Sequence, residues 1–235
     1  MGSELLRPMT PFQAAIGYAG TAFMFATLVG LIARQRYREW WSFSLYLLFD
    51  TVYALLIAVW PERFHRPAPW MLNESISSLL RFVAALELAY RTFRGFPGAM
   101  ARLRVVLLTV IGFTLAVVLA ATPARLDYMA FMGHVHPRVV NGSVWLFTAI
   151  AALILWYRLP VRLFSKRILL SWVPYLLVFA VAMNGLGAIG WERGLALDYL
   201  RQVAYLALVA YWAYAAWQPA RLPVFEPARV TAGLP

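Results

Sequence analysis

The chain has 235 residues, of which 63% are hydrophobic and 13% charged, with a net charge of +11 and no cysteine. A soluble domain typically has about 45–50% apolar and about 25% charged residues, so the solvent this chain is built for is lipid. The missing thiols exclude disulfides, thiolate catalysis, cysteine-ligated zinc and iron–sulfur clusters.

The first apolar run spans residues 12–33. It is longer than the roughly 7–15 residues of a signal-peptide core, and no small-residue cleavage site follows, so it is expected to be retained as a helix. Arg34, Arg36 and Arg38 come next, then a second run at 40–60. Asp50 lies near the middle of that run, where an ionisable side chain is costly and therefore a functional candidate. Residues 61–74 are polar and rich in proline, contain His65, and are predicted to be a loop.

The third run, 75–90, holds Arg81 and Glu87. With about 1.5 Å rise per residue, Asp50 is expected about 15 Å from the end of its helix and Arg81 about 9 Å from the start of its own. Helices joined by a short connection pack side by side. We therefore expect an Asp50–Arg81 ion pair, with Asn184 joining it at similar depth. Glu87 is followed four residues later by Arg91, the favourable order for a pair on one helix face, and this pair is expected at the membrane interface.

Arg91, Arg94, Arg102 and Arg104 lead into a fourth run at 105–122. The segment 123–138 is predicted to be a loop carrying His134 and His136, which with His65 form a candidate metal-ligand set. A fifth run covers 139–157, and Arg158, Arg162, Lys166 and Arg167 separate it from a sixth at 168–191. The sixth contains Pro174 and a glycine-rich stretch from Asn184 to Gly190, as expected of a kink and close helix packing. The seventh, 199–217, places Tyr205 and Trp212 on one face. Residues 218–235 form a short tail with four prolines, expected to be cytoplasmic and too irregular for a long helix.

These runs predict an all-α polytopic membrane protein, residues 1–235 forming one domain of seven transmembrane helices. Thirteen of the 21 basic residues fall in alternate segments and the tail, against two acids there. The side rich in arginine stays in the cytoplasm, which puts the N-terminus outside and the C-terminus inside. Arginine outnumbers lysine 20 to one, which points to a GC-rich genome and a bacterial inner membrane. Trp40, Trp41, Trp60, Trp70, Trp156, Trp191 and Trp217 sit at predicted helix ends, as an interfacial aromatic belt does.

Glu87 in Leu86-Glu87-Leu88-Ala89-Tyr90-Arg91, the basic Arg138, and Trp212-Ala213-Tyr214-Ala215-Ala216-Trp217-Gln218-Pro219 carry a resemblance to uncharacterised bacterial seven-helix integral membrane proteins. The resemblance implies the architecture and no activity. No histidine lies inside a predicted helix core to hold haem, and the single lysine, Lys166, lies outside the helices where retinal would bind. No cofactor is expected, though lipid or a small apolar ligand has room to bind. The expected function is a non-enzymatic accessory or sensor subunit. Its cytoplasmic arginines would meet anionic headgroups, a protein partner or a second copy, and not nucleic acid. The alternative is a small-solute carrier or ion pathway through Asp50, Arg81 and Asn184.

Overall fold

The computed structural model describes residues 10–38, 40–93, 97–121, 131, 135–157, 163–189 and 194–219. Among them every regular element is helical: α1 (Pro11–Ala33), α2 (Trp41–Val59), α3 (Pro61–Phe64), α4 (Pro67–Phe93), α5 (Pro97–Ala121), α6 (His136–Trp156), α7 (Leu163–Ile189) and α8 (Leu195–Trp217), with one 3-10 turn at Arg36–Arg38. Seven of the eight α-helices have 19 to 27 residues.

The helices start earlier than apolarity alone predicts. Pro11, Pro61, Pro67 and Pro97 are the first residues of their helices, and Pro137 is the second of α6. A first-turn N–H has no partner inside the helix, so proline loses nothing there and its fixed φ favours the turn. Residues 61–74, expected to be a loop, are therefore mostly helical, forming α3 and the first two turns of α4. At the start of α1, Thr10 and Gln13 cap each other reciprocally.

Five helices are long and apolar enough to cross a membrane: Pro11–Ala33, Trp41–Val59, Met100–Ala120, His136–Trp156 and Phe164–Leu186. The chain thus carries several apolar helices of membrane-spanning length, as an integral membrane protein does. α4 and α8 are long enough but more polar. α4 carries Glu74, Arg81, Glu87 and Arg91, and α8 carries Asp198 and Arg201.

Six helices close a ring in the order α1, α2, α4, α6, α7, α8, and α5 packs outside it against α6 and α4. On α5, Leu108, Phe113 and Leu119 are 72%, 67% and 73% exposed. Such a band of exposed large apolar side chains is stable only against lipid or another protein. At the centre of the ring Trp172 and Trp212 meet edge to face at 5.2 Å, Phe43 lies 5.0 Å from Trp212, and Phe147 lies 4.5 Å from Trp172. Trp212 donates to Ser171 Oγ at 2.9 Å, and the Tyr205 hydroxyl reaches Met24 Sδ at 3.1 Å, so the aromatic face of α8 serves packing.

Contacts between helix termini show the alternating course of the chain. Gln13 at the start of α1 donates to Asp198 at the start of α8. At the opposite end Gln35 adopts a left-handed φ of 53°, which turns the chain so that Arg36 donates to Ala215 O and Gln218 O at the end of α8. A cation there complements the negative end of the helix dipole and satisfies carbonyls that lack an intrahelical partner. Trp40 was expected in the interfacial belt. It is 3% exposed and donates to Ser165 Oγ near the start of α7. Trp70 likewise packs inward on Phe131 and His136. Trp41, Trp60, Trp156 and Trp217 do face outward, and Trp191 lies outside the described residues.

Pro174 does not break α7, which continues through it to Ile189. Glycines mark close helix approach, Gly142 of α6 against Thr114 of α5 among them, where a Cβ would sit 2.3 Å from Thr114 Cγ2. A Cβ on Gly30 would sit 3.0 Å from Ala216 Cβ and 3.1 Å from the Trp217 ring, and one on Gly185 would sit 2.6 Å from Leu197 Cδ1. α1 and α7 are thereby drawn onto α8.

Candidate functional site

α4 places Glu74, Ser77, Ser78 and Arg81 at spacings of three, four and seven, which is one face of a helix. That face turns inward: Ser77, Ser78 and Arg81 are all buried. Arg81 is fourteen residues into α4, about 21 Å along it, and so near its middle. It is deeper than the 9 Å expected because the helix starts at Pro67.

The partners differ from the expected ones. Arg81 forms its salt bridge with Glu74, one helical stripe back on α4. It also donates to Ser78 Oγ at 3.1 Å and from Nε to Ser77 O at 3.3 Å. Asp50 accepts a hydrogen bond from the Ser77 hydroxyl. The expected pairing of Arg81 with Asp50 is thus replaced by two linked contacts, because a carboxylate on Arg81's own helix is already aligned with the guanidinium. The two original candidates nonetheless lie in one network, close enough for Asp50 to feel the Arg81 charge. Tyr46, Tyr175 and Tyr205 lie close enough to feel its charges, and the Tyr175 and Tyr205 rings are tilted at 51° with centroids 5.8 Å apart.

His136, expected in a loop, is the first residue of α6 and is 2% exposed. Its Nε2 lies 3.1 Å from Glu74 Oε1 but outside hydrogen-bond geometry, and Nδ1 has no hydrogen-bond partner among the described residues. Trp70, Phe131 and Phe179 surround the ring at 5.7 to 6.0 Å between centroids. A cleft of about 250 Å³ opens beside it between α4 and α6. Ser75 and Ser78 share this cleft, yet neither hydroxyl is hydrogen-bonded to the imidazole. Ser75 donates to Met71 O at 2.8 Å, and Ser78 receives Arg81. The serine–histidine contact of an activated nucleophile is therefore not made.

The remaining candidates lie elsewhere. Asn184 is exposed on α7 and donates to Asn141 Oδ1 at 3.2 Å and to Ala180 O at 2.8 Å, so it does not converge on Asp50 and Arg81. His65 lies in the turn between α3 and α4, and His134 falls outside the described residues. Among the described residues no group of three histidine or acidic side chains is arranged to hold a metal ion.

Glu87 sits at the other end of α4. Arg91 donates to it at 2.8 Å, and the backbone N–H of Ser42, in the first turn of α2, donates to it at 3.0 Å. The Ser42 hydroxyl also donates to Glu87. α2 has no side-chain cap of its own, because Trp40 occupies that position. Glu87 supplies the cap from a neighbouring helix.

The sequence pattern misses Glu74 and His136 as interior groups. For Glu74 the signal is its spacing of seven from Arg81, which becomes visible once Pro67 is taken as a helix start. No family model, curated protein or solved structure matches this chain.

Proposed function

We propose that the chain is a bacterial inner-membrane protein, a single bundle of seven transmembrane helices with its N-terminus outside. In this reading it acts as a non-enzymatic sensor or accessory subunit through partner proteins or anionic lipid. The observation that carries this reading is the buried network of Asp50, Glu74, Arg81 and His136, contributed by three helices. It is confined to one half of a bundle whose opposite end carries the exposed Arg34, Arg91 and Arg102. Charged groups inside a membrane bundle mark a working element by default, and a cationic rim attracts anionic lipid by about 1 kcal/mol per arginine. A ligand- or charge-sensitive centre at one end and a docking rim at the other is the layout of a sensor that hands its signal on. The likeness to bacterial seven-helix membrane proteins in the Glu87 and Trp212–Pro219 motifs agrees with this architecture.

A solute pathway through Asp50, Arg81 and Asn184 is less favoured. Asn184 pairs away from the other two, and Arg81 is held by its own glutamate.

Two measurements test the proposal. An alkaline phosphatase fused to the C-terminus is expected to be inactive; activity in the periplasm overturns the orientation. On native gels of gently solubilised membranes the chain is expected to migrate in a complex with a defined partner. Charge reversal at Arg102 and Arg104 should dissociate that complex, and a chain that always migrates alone removes the subunit reading.

A further inference from the structure

α5 packs outside the ring, and the side of it turned away from α6 is exposed. Along that side Thr109, Gly112, Ala116 and Ala120 recur at spacings of three and four, so they share one line of the helix. Leu108 and Leu119 stand on one flank of this line and Phe113 on the other, all strongly exposed. The result is a shallow apolar groove. A Cβ on Gly112 would meet nothing within 4 Å, so the described residues leave the groove open there.

A cation stands at the arginine-rich end of this groove. Arg102 is exposed, lies two turns before Thr109 on the same side, and falls at the edge of the membrane-length segment Met100–Ala120. Its Nη1 donates to the Tyr157 hydroxyl at the end of α6 at 2.8 Å, and the guanidinium carbon is 5.9 Å from the Tyr157 ring centre. That contact positions the guanidinium and leaves Nε and Nη2 without a hydrogen bond among the described residues. A guanidinium offers its donors as a planar fork that fits two phosphate oxygens. α5 itself carries two arginines and no acid to compete for them.

Charge decides the occupant. Copies of the chain cross a membrane in the same sense, so a two-fold pairing through this face would bring the two Arg102 charges together at equal depth, which is repulsive. A zwitterionic phospholipid carries its own cation to the guanidinium. An anionic phospholipid brings negative charge alone. One monolayer of hydrocarbon, about 15 Å or half of a core of about 30 Å, matches about ten residues of helix, the distance from Arg102 to Gly112. We propose that one anionic phospholipid sits on α5, its phosphate on the open donors of Arg102 beside Tyr157 and an acyl chain in the groove past Thr109 to Gly112. This gives the anionic-lipid reading a specific seat and rests on that reading only for its biological use. Retention is measured on the purified chain, so it succeeds or fails separately from formation of a protein complex.

The test is native mass spectrometry of the full chain, released from detergent micelles holding equal amounts of a phosphatidylglycerol and a phosphatidylcholine with the same acyl chains. One phosphatidylglycerol per chain is expected to be retained, in at least about tenfold excess over phosphatidylcholine. Arg102→Ala should erase that preference. Arg104→Ala removes the same charge two residues away, on a different side of the helix, and should leave the preference unchanged. Gly112→Phe raises a ridge across the groove and should weaken retention of both lipids. All three residues are exposed, so the variants keep the fold. Equal losses from Arg102→Ala and Arg104→Ala would show a diffuse attraction and overturn the site. So would the absence of a preference for phosphatidylglycerol, or retention unchanged in Gly112→Phe. A two-copy species that Gly112→Phe converts to single chains would assign the face to a second copy and overturn the lipid as its occupant.

Discussion

Arg81→Leu is expected to be the most damaging single substitution in this chain, lowering stability by about 3–5 kcal/mol. The side chains of Arg81 and Glu74 are only 7% and 16% exposed. Removing the guanidinium strands the Glu74 carboxylate inside the bundle and takes away the nearest positive charge from Asp50. Removing both members of the pair leaves no stranded partner, so Glu74→Gln with Arg81→Leu should recover much of the loss. The same double substitution made with Asp50→Asn should recover less, because Asp50 is held by Ser77 and not by the guanidinium. Reversible unfolding in mixed micelles, arranged as two double-mutant cycles, measures both couplings. A larger coupling for Asp50 with Arg81 than for Glu74 with Arg81 would show that the pairing runs the other way. If instead the losses add in both cycles, Arg81 is held by neither carboxylate.

How much of this was legible in the sequence depends on what kind of signal each feature sends. Long apolar runs locate helices well, since a stretch that cannot be solvated must hydrogen-bond its own backbone. All seven runs contain or overlap one of the long helices. Their starts were misjudged where proline and polar residues suggested loops, although proline at a first helical position loses nothing. That one error hid Glu74 and His136, both in segments assigned to loops, and it made Arg81 look shallow. Asp50 and Arg81 stood out because charge within an apolar run is expensive whatever its neighbours are. Their partners did not stand out, because partner choice depends on helix phase and rotation. Asn184 shows the same limit: its depth was readable, but Ala182, Met183 and Leu186 take the buried face and leave it exposed. The motif around Glu87 suggested an ordinary pair with Arg91. The link to Ser42 spans 45 residues and leaves no local trace.

That link gives the second large expected effect. Glu87→Ala should lower stability by about 2–3 kcal/mol, the combined scale of losing a helix cap and a charged hydrogen bond. The Ser42 N–H belongs to the first turn of α2 and has no acceptor inside its own helix. Negative charge there also complements the positive end of the α2 dipole. Arg91 contributes differently. Its side chain is 46% exposed against 8% for Glu87, so the ion pair is largely solvated and Arg91→Ala should cost less than about 1 kcal/mol. Glu87→Gln retains one acceptor oxygen and should fall between the two. Thermal unfolding of the three variants in one detergent separates the roles. The order Glu87→Ala, Glu87→Gln, Arg91→Ala identifies Glu87 as a tether of α2 to α4. Equal losses in Glu87→Ala and Arg91→Ala would mean that the surface pair, and not the cap, holds this end of the bundle together.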